Sequence, residues 1–230
     1  MKDYQTFLSD LRQFLPSDRI YTDELRTLGW GTDASFYRQI PKVVIRSDGE
    51  AEISKIVRAC QKHKLPFTFR AAGTSLSGQS CTDSVLIVAG KHWEKWSLTP
   101  NPSPTGEGNS GTEASAIRLQ PGIVGARVNE ILKPYGRVFP PDPASIGSAM
   151  VGGIVINNAS GMNCGVHANS DRMLLSARII LTDGTVLDTG DEKSREAFRK
   201  SHPEFIRKIE ALRDKVRGDE ELASRIRTKS

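Results

Sequence analysis

Residues 70–79 are the stretch of this sequence whose residue types most directly suggest chemistry. They read Arg-Ala-Ala-Gly-Thr-Ser-Leu-Ser-Gly-Gln and follow an apolar run, 66–69, whose alternation predicts a strand. Gly73 and Gly78 permit positive φ and a close approach of the backbone to a ligand. Inward N–H groups, neighbouring hydroxyls and the charge of Arg70 together have the chemistry of a phosphate or pyrophosphate cradle.

Two other interpretations of this stretch remain open at this point. One is a Gly/Ser-rich surface loop that binds nothing. The other is a nucleotide-triphosphate loop, because Gly73 and Gly78 have that spacing, but Gln79 replaces the lysine that such loops require. An apolar run at 84–88 predicts a strand after the loop, whereas a triphosphate loop needs a helix there.

A second glycine-bearing stretch spans residues 147–165. Gly152 and Gly153 again permit close backbone approach, and Asn157 and Asn158 can hydrogen-bond an amide-like ring edge or a phosphate. A close packing site between secondary-structure elements is an equal alternative for this stretch alone. Two such stretches in one chain favour a large bipartite ligand held between two lobes.

Composition and charge narrow the class of protein. The net charge of +5 fits an anionic ligand, but basic residues are scattered among acidic ones, so nucleic acid is not an expected partner. Neither an apolar run of membrane-spanning length nor a signal-peptide core is present, and a cytoplasmic protein without a transmembrane segment is expected. The three cysteines are widely spaced, which predicts neither a disulfide framework nor a metal site.

Hydrophobic periodicity predicts alternating helices and strands. The segment 43–70 predicts a strand–helix–strand unit with parallel strands, and the loop 70–79 would lie at their carboxyl edge, where ligands of α/β sheets bind. Residues 97–116 are rich in Pro, Gly, Ser and Asn and predict a flexible excursion without function. Helices are expected over 2–15, 50–63, 124–135, 192–199, 203–217 and 219–227. Strands are expected over 43–45, 66–70, 84–88, 117–120, 173–182 and 185–188. An Asp183-Gly184 turn is expected to join the last two of these strands into a hairpin.

Five motifs occur in one order along the chain. They are the loop 70–79, Gln-Pro-Gly at 120–122, Pro-Pro-Asp-Pro-Ala-Ser at 140–145, Gly-Gly at 152–153 with Asn-Ala-Ser-Gly at 158–161, and Asp-Gly-Thr-Val-Leu-Asp-Thr-Gly at 183–190. This ordered set resembles the FAD-binding domain of the vanillyl-alcohol oxidase / p-cresol methylhydroxylase (PCMH-type) flavoprotein superfamily. The branch with the greatest resemblance is that of the FAD-linked D-lactate, glycolate and D-2-hydroxyglutarate dehydrogenases.

The resemblance implies an α+β fold of two α/β lobes with FAD between them. A small βαβ lobe would span 41–96 and a larger lobe, a mixed or antiparallel sheet flanked by helices, would span 117–190. An N-terminal helical segment (1–40), the excursion (97–116) and C-terminal helices (191–230) would complete the chain. The cofactor-binding residues that the resemblance implies are Arg70, Ala71, Ala72, Gly73, Thr74, Ser75, Gly78, Gln79, Pro141, Asp142, Ser145, Gly152, Gly153, Asn157, Asn158, Gly161, Gly165 and Ile180.

The resemblance also implies an oxidoreductase that oxidises a D-2-hydroxy acid, such as D-lactate, glycolate or D-2-hydroxyglutarate, by hydride transfer to flavin N5. Thr74 stands where covalent relatives have a histidine, so noncovalent FAD is expected. Catalytic residues are expected in a substrate domain beyond Ser230, and residues 1–230 alone are expected to be inactive. The electron acceptor would be a quinone, a cytochrome or an iron–sulfur centre, and peripheral attachment to the inner membrane is compatible with this branch. A flavin reductase of a sugar nucleotide and a non-catalytic nucleotide-binding module remain alternatives.

Overall fold

A computed structural model of the chain describes residues 3–89, 91–100, 114–161, 165 and 167–229. The chain forms two compact units, Met1–Leu174 with Thr182–Thr185, and Leu175–Leu181 with Val186–Ser230. The helices of the first unit are α1 Tyr4–Arg12, α2 Glu24–Gly29, α3 Glu50–Lys62, α4 Gly125–Leu132, α5 Val151–Ile156 and α6 Ser170–Met173. Its strands are β1 Ile20–Tyr21, β2 Val43–Ser47, β3 Phe67–Arg70, β4 Val85–Ala89, β5 Trp96–Pro100 and β6 Ala114–Leu119.

The first four strands form one sheet in the order β1-β2-β4-β3. Strands β2 and β3 both run parallel to β4, whereas β1 pairs antiparallel with β2. The predicted parallel direction of β2 and β3, the two strands of the strand–helix–strand unit, is confirmed. These two strands are not neighbours in the sheet, because β4 lies between them. The central place of β4 follows from its composition, because residues 85–88 are all apolar and all buried, as a strand covered on both faces must be.

Helix α3 covers this sheet with the face that its periodicity predicts. Ile53, Ile56, Val57 and Cys60 are all buried. Burial raises the pKa of the Cys60 thiol to about 12, so this cysteine serves as an apolar core residue and not as a nucleophile.

The prediction that residues 97–116 form an irregular excursion is wrong at both ends of this segment, which belong to strands β5 and β6. They pair antiparallel, with Leu98 opposite Ile117, so both ends of the supposed irregular excursion are strand. Residues 101–113 lie outside the described part of the chain. The pairing is favoured because Leu98 and Ile117 pack against the apolar cluster of the second lobe, a tertiary contact that outweighs the local turn-forming composition.

The second unit contains a hairpin and three helices among its described residues. These elements are β7 Arg178–Ile180, β8 Val186–Asp188, α7 Glu192–Ser201, α8 Pro203–Gly218 and α9 Glu220–Lys229. Strands β7 and β8 pair antiparallel, which confirms the predicted hairpin. The strand predicted over 173–182 is wrong outside β7, since Ser170–Met173 is helical. Helix α6 forms because Asn158 Oδ1 accepts the N–H of Asp171 at 2.8 Å, near the helix start.

Trp93 connects the parallel sheet to the turn at residues 120–122. Its indole N–H donates to the carbonyl oxygen of Ser47 at 3.0 Å and to Ser47 Oγ at 3.2 Å, at the carboxyl end of β2. Its own carbonyl accepts the N–H of Gly122 at 2.9 Å, in the Gln-Pro-Gly turn of the second lobe. Trp93 and Ser47 are both buried, so these bonds are protected from water and their loss would leave buried polar groups unpaired.

We therefore expect Trp93→Phe to lower the free energy of unfolding by about 1–3 kcal/mol, because Ser47 loses its indole donor. Trp96→Phe is the matched control, since Trp96 is 45% exposed and its replacement is expected to change stability by less than about 0.5 kcal/mol. Urea unfolding followed by circular dichroism measures both. Equal losses in the two variants would contradict the role given to Trp93.

Candidate functional site

The loop 70–79 joins β3 to β4 and so lies at the carboxyl ends of the parallel strands. Gly73 has φ +72° and Gly78 has φ +71°, as predicted from their residue type. A Cβ at Gly73 would lie 2.7 Å from Arg70 Nη2, and a Cβ at Gly78 would lie 2.7 Å from Tyr37 Cδ2. Both positions therefore require glycine for two independent reasons, backbone conformation and space.

Hydrogen bonds within the loop hold it closed. Ser75 Oγ donates to Gln79 Oε1 at 2.5 Å and also accepts the N–H of Ser77 at 3.2 Å. The N–H of Cys81 donates to the carbonyl oxygen of Gly78 at 3.2 Å. Thr74 and its neighbours Ala71 and Ala72 are half-buried. The loop is thus a preformed turn with its small side chains partly accessible.

The sequence predicts that the charge of Arg70 faces a phosphate, but its guanidinium hydrogen-bonds backbone carbonyls of residues 30–32. Its Nη1 donates to the carbonyl oxygens of Thr32 at 2.6 Å and Trp30 at 3.3 Å, and its guanidinium lies 5.2 Å from the Trp30 ring centroid. Burial lowers its pKa, although the nearby charge of Asp33 opposes that effect. Its Nε is buried and has no hydrogen-bond partner among the described residues. An unpaired buried donor beside Gly73 suits an anionic group.

Asp33 is a residue of this site that the sequence analysis does not single out. Its carboxylate accepts the N–H and the Oγ–H of Ser35, at 2.8 and 2.5 Å, and the Oγ–H of Ser80 at 2.9 Å. Burial alone would raise the pKa of Asp33, but the hydrogen bonds from Ser35 and Ser80 outweigh it and lower the pKa to about 2. The Asp-x-Ser spacing at 33–35, typical of an Asx turn, is the signal that could have identified it.

The second glycine stretch contains a helix, α5, that the sequence interpretation described only as an apolar segment. The N–H groups of Val151 and Gly152 donate to the carbonyl oxygens of Ile123 and Pro121, at 2.8 and 2.9 Å. A Cβ at Gly152 would lie 2.7 Å from Pro121 Cβ, whereas a Cβ at Gly153 would meet no atom within 4 Å. Gly152 therefore serves packing against the Gln-Pro-Gly turn, and Gly153 leaves an open backbone surface.

The Pro-Asp-Pro segment and the Asn-Ala-Ser-Gly segment meet through their backbones. A Cβ at Gly161 would lie only 1.6 Å from the carbonyl oxygen of Asp142, so no side chain fits there. Asn158 has φ +45° and its Oδ1 is used by the N–H of Asp171. Asn157, Asn158 and Ser160 are the exposed polar residues of this turn.

The other predicted site residues have less defined surroundings. Pro141 is buried, and the carbonyl oxygen of Ser145 accepts the N–H groups of Ser148 and Ala149, at 2.8 and 2.7 Å. Gly165 has φ +54° and is exposed. Ile180 belongs to the second unit, where it pairs with Val186. The helices that the structure describes include none long and apolar enough to cross a membrane, and the described residues include no cluster of three metal-ligating side chains.

Comparison with known proteins identifies the family to which the chain belongs. The protein-family description that matches is "FAD binding domain", over residues 41–190. The chain belongs to this family of FAD-binding domains, and FAD is its cofactor. Its fold is that of the PCMH type: the structure superposes on p-cresol methylhydroxylase with a TM-score of 0.65 at 14% identity, over 81% of this chain and 35% of that one. An alkyldihydroxyacetonephosphate synthase gives a TM-score of 0.66 at 18% identity, over 84% of this chain and 38% of that one.

Curated relatives are more similar in sequence. D-2-hydroxyglutarate dehydrogenase of Escherichia coli (strain K12) is 27% identical over 80% of this chain and 17% of its own length. Glycolate oxidase subunit GlcD of the same strain is 27% identical over 83% of this chain and 36% of its own length. D-lactate dehydrogenase [cytochrome] of Arabidopsis thaliana is 26% identical over 83% of this chain and 32% of its own length. The chain therefore spans between about a sixth and a third of the relatives that it matches.

We predict that Gly73→Ala raises the dissociation constant for FAD about tenfold or more, because about 1–2 kcal/mol of left-handed strain adds to a clash with Arg70. Gly29→Ala is the control, since a Cβ at Gly29 meets nothing within 4 Å and its φ is not positive. Titration of flavin fluorescence measures both constants. An unchanged constant for Gly73→Ala would remove the loop from the site.

The lowered pKa of Asp33 predicts a pH dependence of stability. The Asp33 carboxyl has a pKa of 3.8 in the unfolded chain and of about 2 in the folded chain. Its contribution to the free energy of unfolding is therefore present above pH 3.8 and is lost as the pH falls towards 2. The difference in unfolding free energy between the native chain and Asp33→Asn should narrow over that interval in the FAD-free protein. A difference that widens with acidification would contradict the assignment.

Proposed function

We propose that this chain is the FAD-binding domain of an oxidoreductase that oxidises a D-2-hydroxy acid. The observation that carries the cofactor site is the pair of positive-φ glycines, Gly73 and Gly78, at the carboxyl edge of the parallel strands. The substrate class is supported by the relatives, whose names specify D-2-hydroxyglutarate, glycolate and D-lactate.

Two parts of the cofactor, the diphosphate and the flavin with its ribityl arm, are assigned here to described residues. We assign the diphosphate to the loop 70–79, where backbone N–H groups, Thr74 and the unpaired Nε of Arg70 supply donors without a bulky side chain in the way. We assign the flavin and its ribityl arm to the second lobe, at Asp142, Gly153 and the turn 157–161.

The reaction proposed for the whole protein divides the chemistry between cofactor and chain. FAD supplies an acceptor, at N5, for the hydride that leaves the substrate's Cα while a base takes the hydroxyl proton. The residues of this chain bind and orient the cofactor and exclude water from its diphosphate. We assign no catalytic base among residues 1–230, and we place the substrate-binding residues outside this chain.

We further propose that FAD is held noncovalently. Thr74 follows the loop's first glycine, and an alkyl hydroxyl with no base to activate it is a poor nucleophile for attachment to the flavin ring. The thiol of Cys81 is buried and its pKa is raised by that burial, which also disfavours attack.

Anaerobic mixing of the whole protein with single hydroxy acids tests the proposed activity. We expect the D enantiomers of lactate and 2-hydroxyglutarate, or glycolate, to bleach the visible absorbance of the bound flavin, and the L enantiomers to leave it unchanged. Acid precipitation of the same sample should release the flavin into the supernatant. Bleaching by a nicotinamide nucleotide but by no hydroxy acid would contradict the substrate class, and flavin retained in the pellet would contradict noncovalent binding.

A further inference from the structure

The segment of residues 30–38, here called the N-terminal strap, lies outside the stretch that matches the FAD-binding family, which begins at residue 41. The strap is nevertheless in contact with the loop 70–79 and with the residues that follow it. It doubles back on itself through a bridge between Thr32 and Arg38 and a hydrogen bond from the N–H of Gln39 to the carbonyl oxygen of Gly31.

The strap contacts the loop at both of its positive-φ glycines. The N–H of Ala34 donates to the carbonyl oxygen of Gly73 at 3.0 Å. The ring of Tyr37 packs so closely on Gly78 that a Cβ there would lie 2.7 Å from the ring carbon Cδ2. These two contacts fix the positions of the residues whose backbone the proposed diphosphate site uses.

One carboxylate joins these contacts together. Asp33 Oδ1 accepts both hydrogen bonds from Ser35, which fold the strap into a turn, and Asp33 Oδ2 accepts the hydroxyl of Ser80 just after the loop. Arg70, at the start of the loop, donates to the carbonyl oxygen of Thr32, the neighbour of Asp33. The carboxylate therefore ties the strap to the far end of the loop, while Arg70 ties it to the near end.

We infer that Asp33 is a positioning residue of the FAD site, which acts by holding the loop 70–81 in the conformation that receives the diphosphate. The inference rests on the assignment of the diphosphate to this loop under the proposed function. It extends the cofactor-binding unit to the N-terminal strap. Asp33 touches no cofactor atom in this account, and its effect passes through Ser80 and Ala34.

Replacing Asp33 and Ser80 singly and together tests this coupling. We expect Asp33→Ala to raise the dissociation constant for FAD about tenfold or more, since charged hydrogen bonds are the stronger class. Ser80→Ala should raise it less, and the double variant should match Asp33→Ala alone, because both changes break one connection. Asp23→Asn is the control: Asp23 lies outside the strap and caps α2 by accepting the N–H of Arg26, and asparagine caps equally well.

Hydrogen exchange on the FAD-free variants separates the positioning role from a general loss of stability. In Asp33→Ala the amides of residues 73–81 should exchange faster, whereas those of β4 should keep their native protection. If Asp33→Ala does not fold, Ser80→Ala keeps the strap turn intact and provides the same comparison.

The possible failures are distinguishable. Unchanged exchange at 73–81, multiplicative effects of the two substitutions, or an equal loss in Asp23→Asn would show that Asp33 does not hold the loop. Faster loop exchange with an unchanged FAD constant would instead overturn the inference by removing this loop from the FAD site.

Discussion

The structure of the first unit depends on a buried hydrogen-bonded connection through Trp93. The indole N–H reaches the end of β2 at Ser47, and the main chain of the same residue holds Gly122 in the second lobe. Because a buried donor or acceptor left unpaired is costly, these bonds hold the end of β2 and the Gln-Pro-Gly turn at fixed positions. The Gln-Pro-Gly turn held in this way is the same turn that receives the N–H of Gly152, so the attachment continues directly into the second glycine stretch.

Glycine is needed for different physical reasons in the two stretches. Gly73 and Gly78 both have positive φ, a backbone conformation that glycine adopts without strain. Gly152 and Gly161 are required by close approach, to Pro121 and to the carbonyl oxygen of Asp142 respectively. The first pair shapes the turn of the loop 70–79, and the second pair allows two chain segments to approach closely.

Much of the fold could be predicted from the sequence because its signals are local. The apolar face of α3, the positive φ of Gly73 and Gly78, and the hairpin β7–β8 all follow from periodicity or turn chemistry. The position of β4 between β2 and β3, and the strand pairing of β5 with β6, depend on tertiary partners that no local pattern contains. Arg70 illustrates the same limit within the site: its charge was evident, but its donation to Trp30 and Thr32 depends on a segment forty residues earlier.

The proposed function requires both glycine stretches to contact one FAD molecule. Titration of isotopically labelled protein with FAD, followed through the backbone amide resonances, tests this requirement. The amides of Gly73, Gly78 and Gly153 are expected to shift together, with one dissociation constant and saturation at a single equivalent of FAD. Shifts confined to one stretch, or two sets of shifts with different constants, would contradict it.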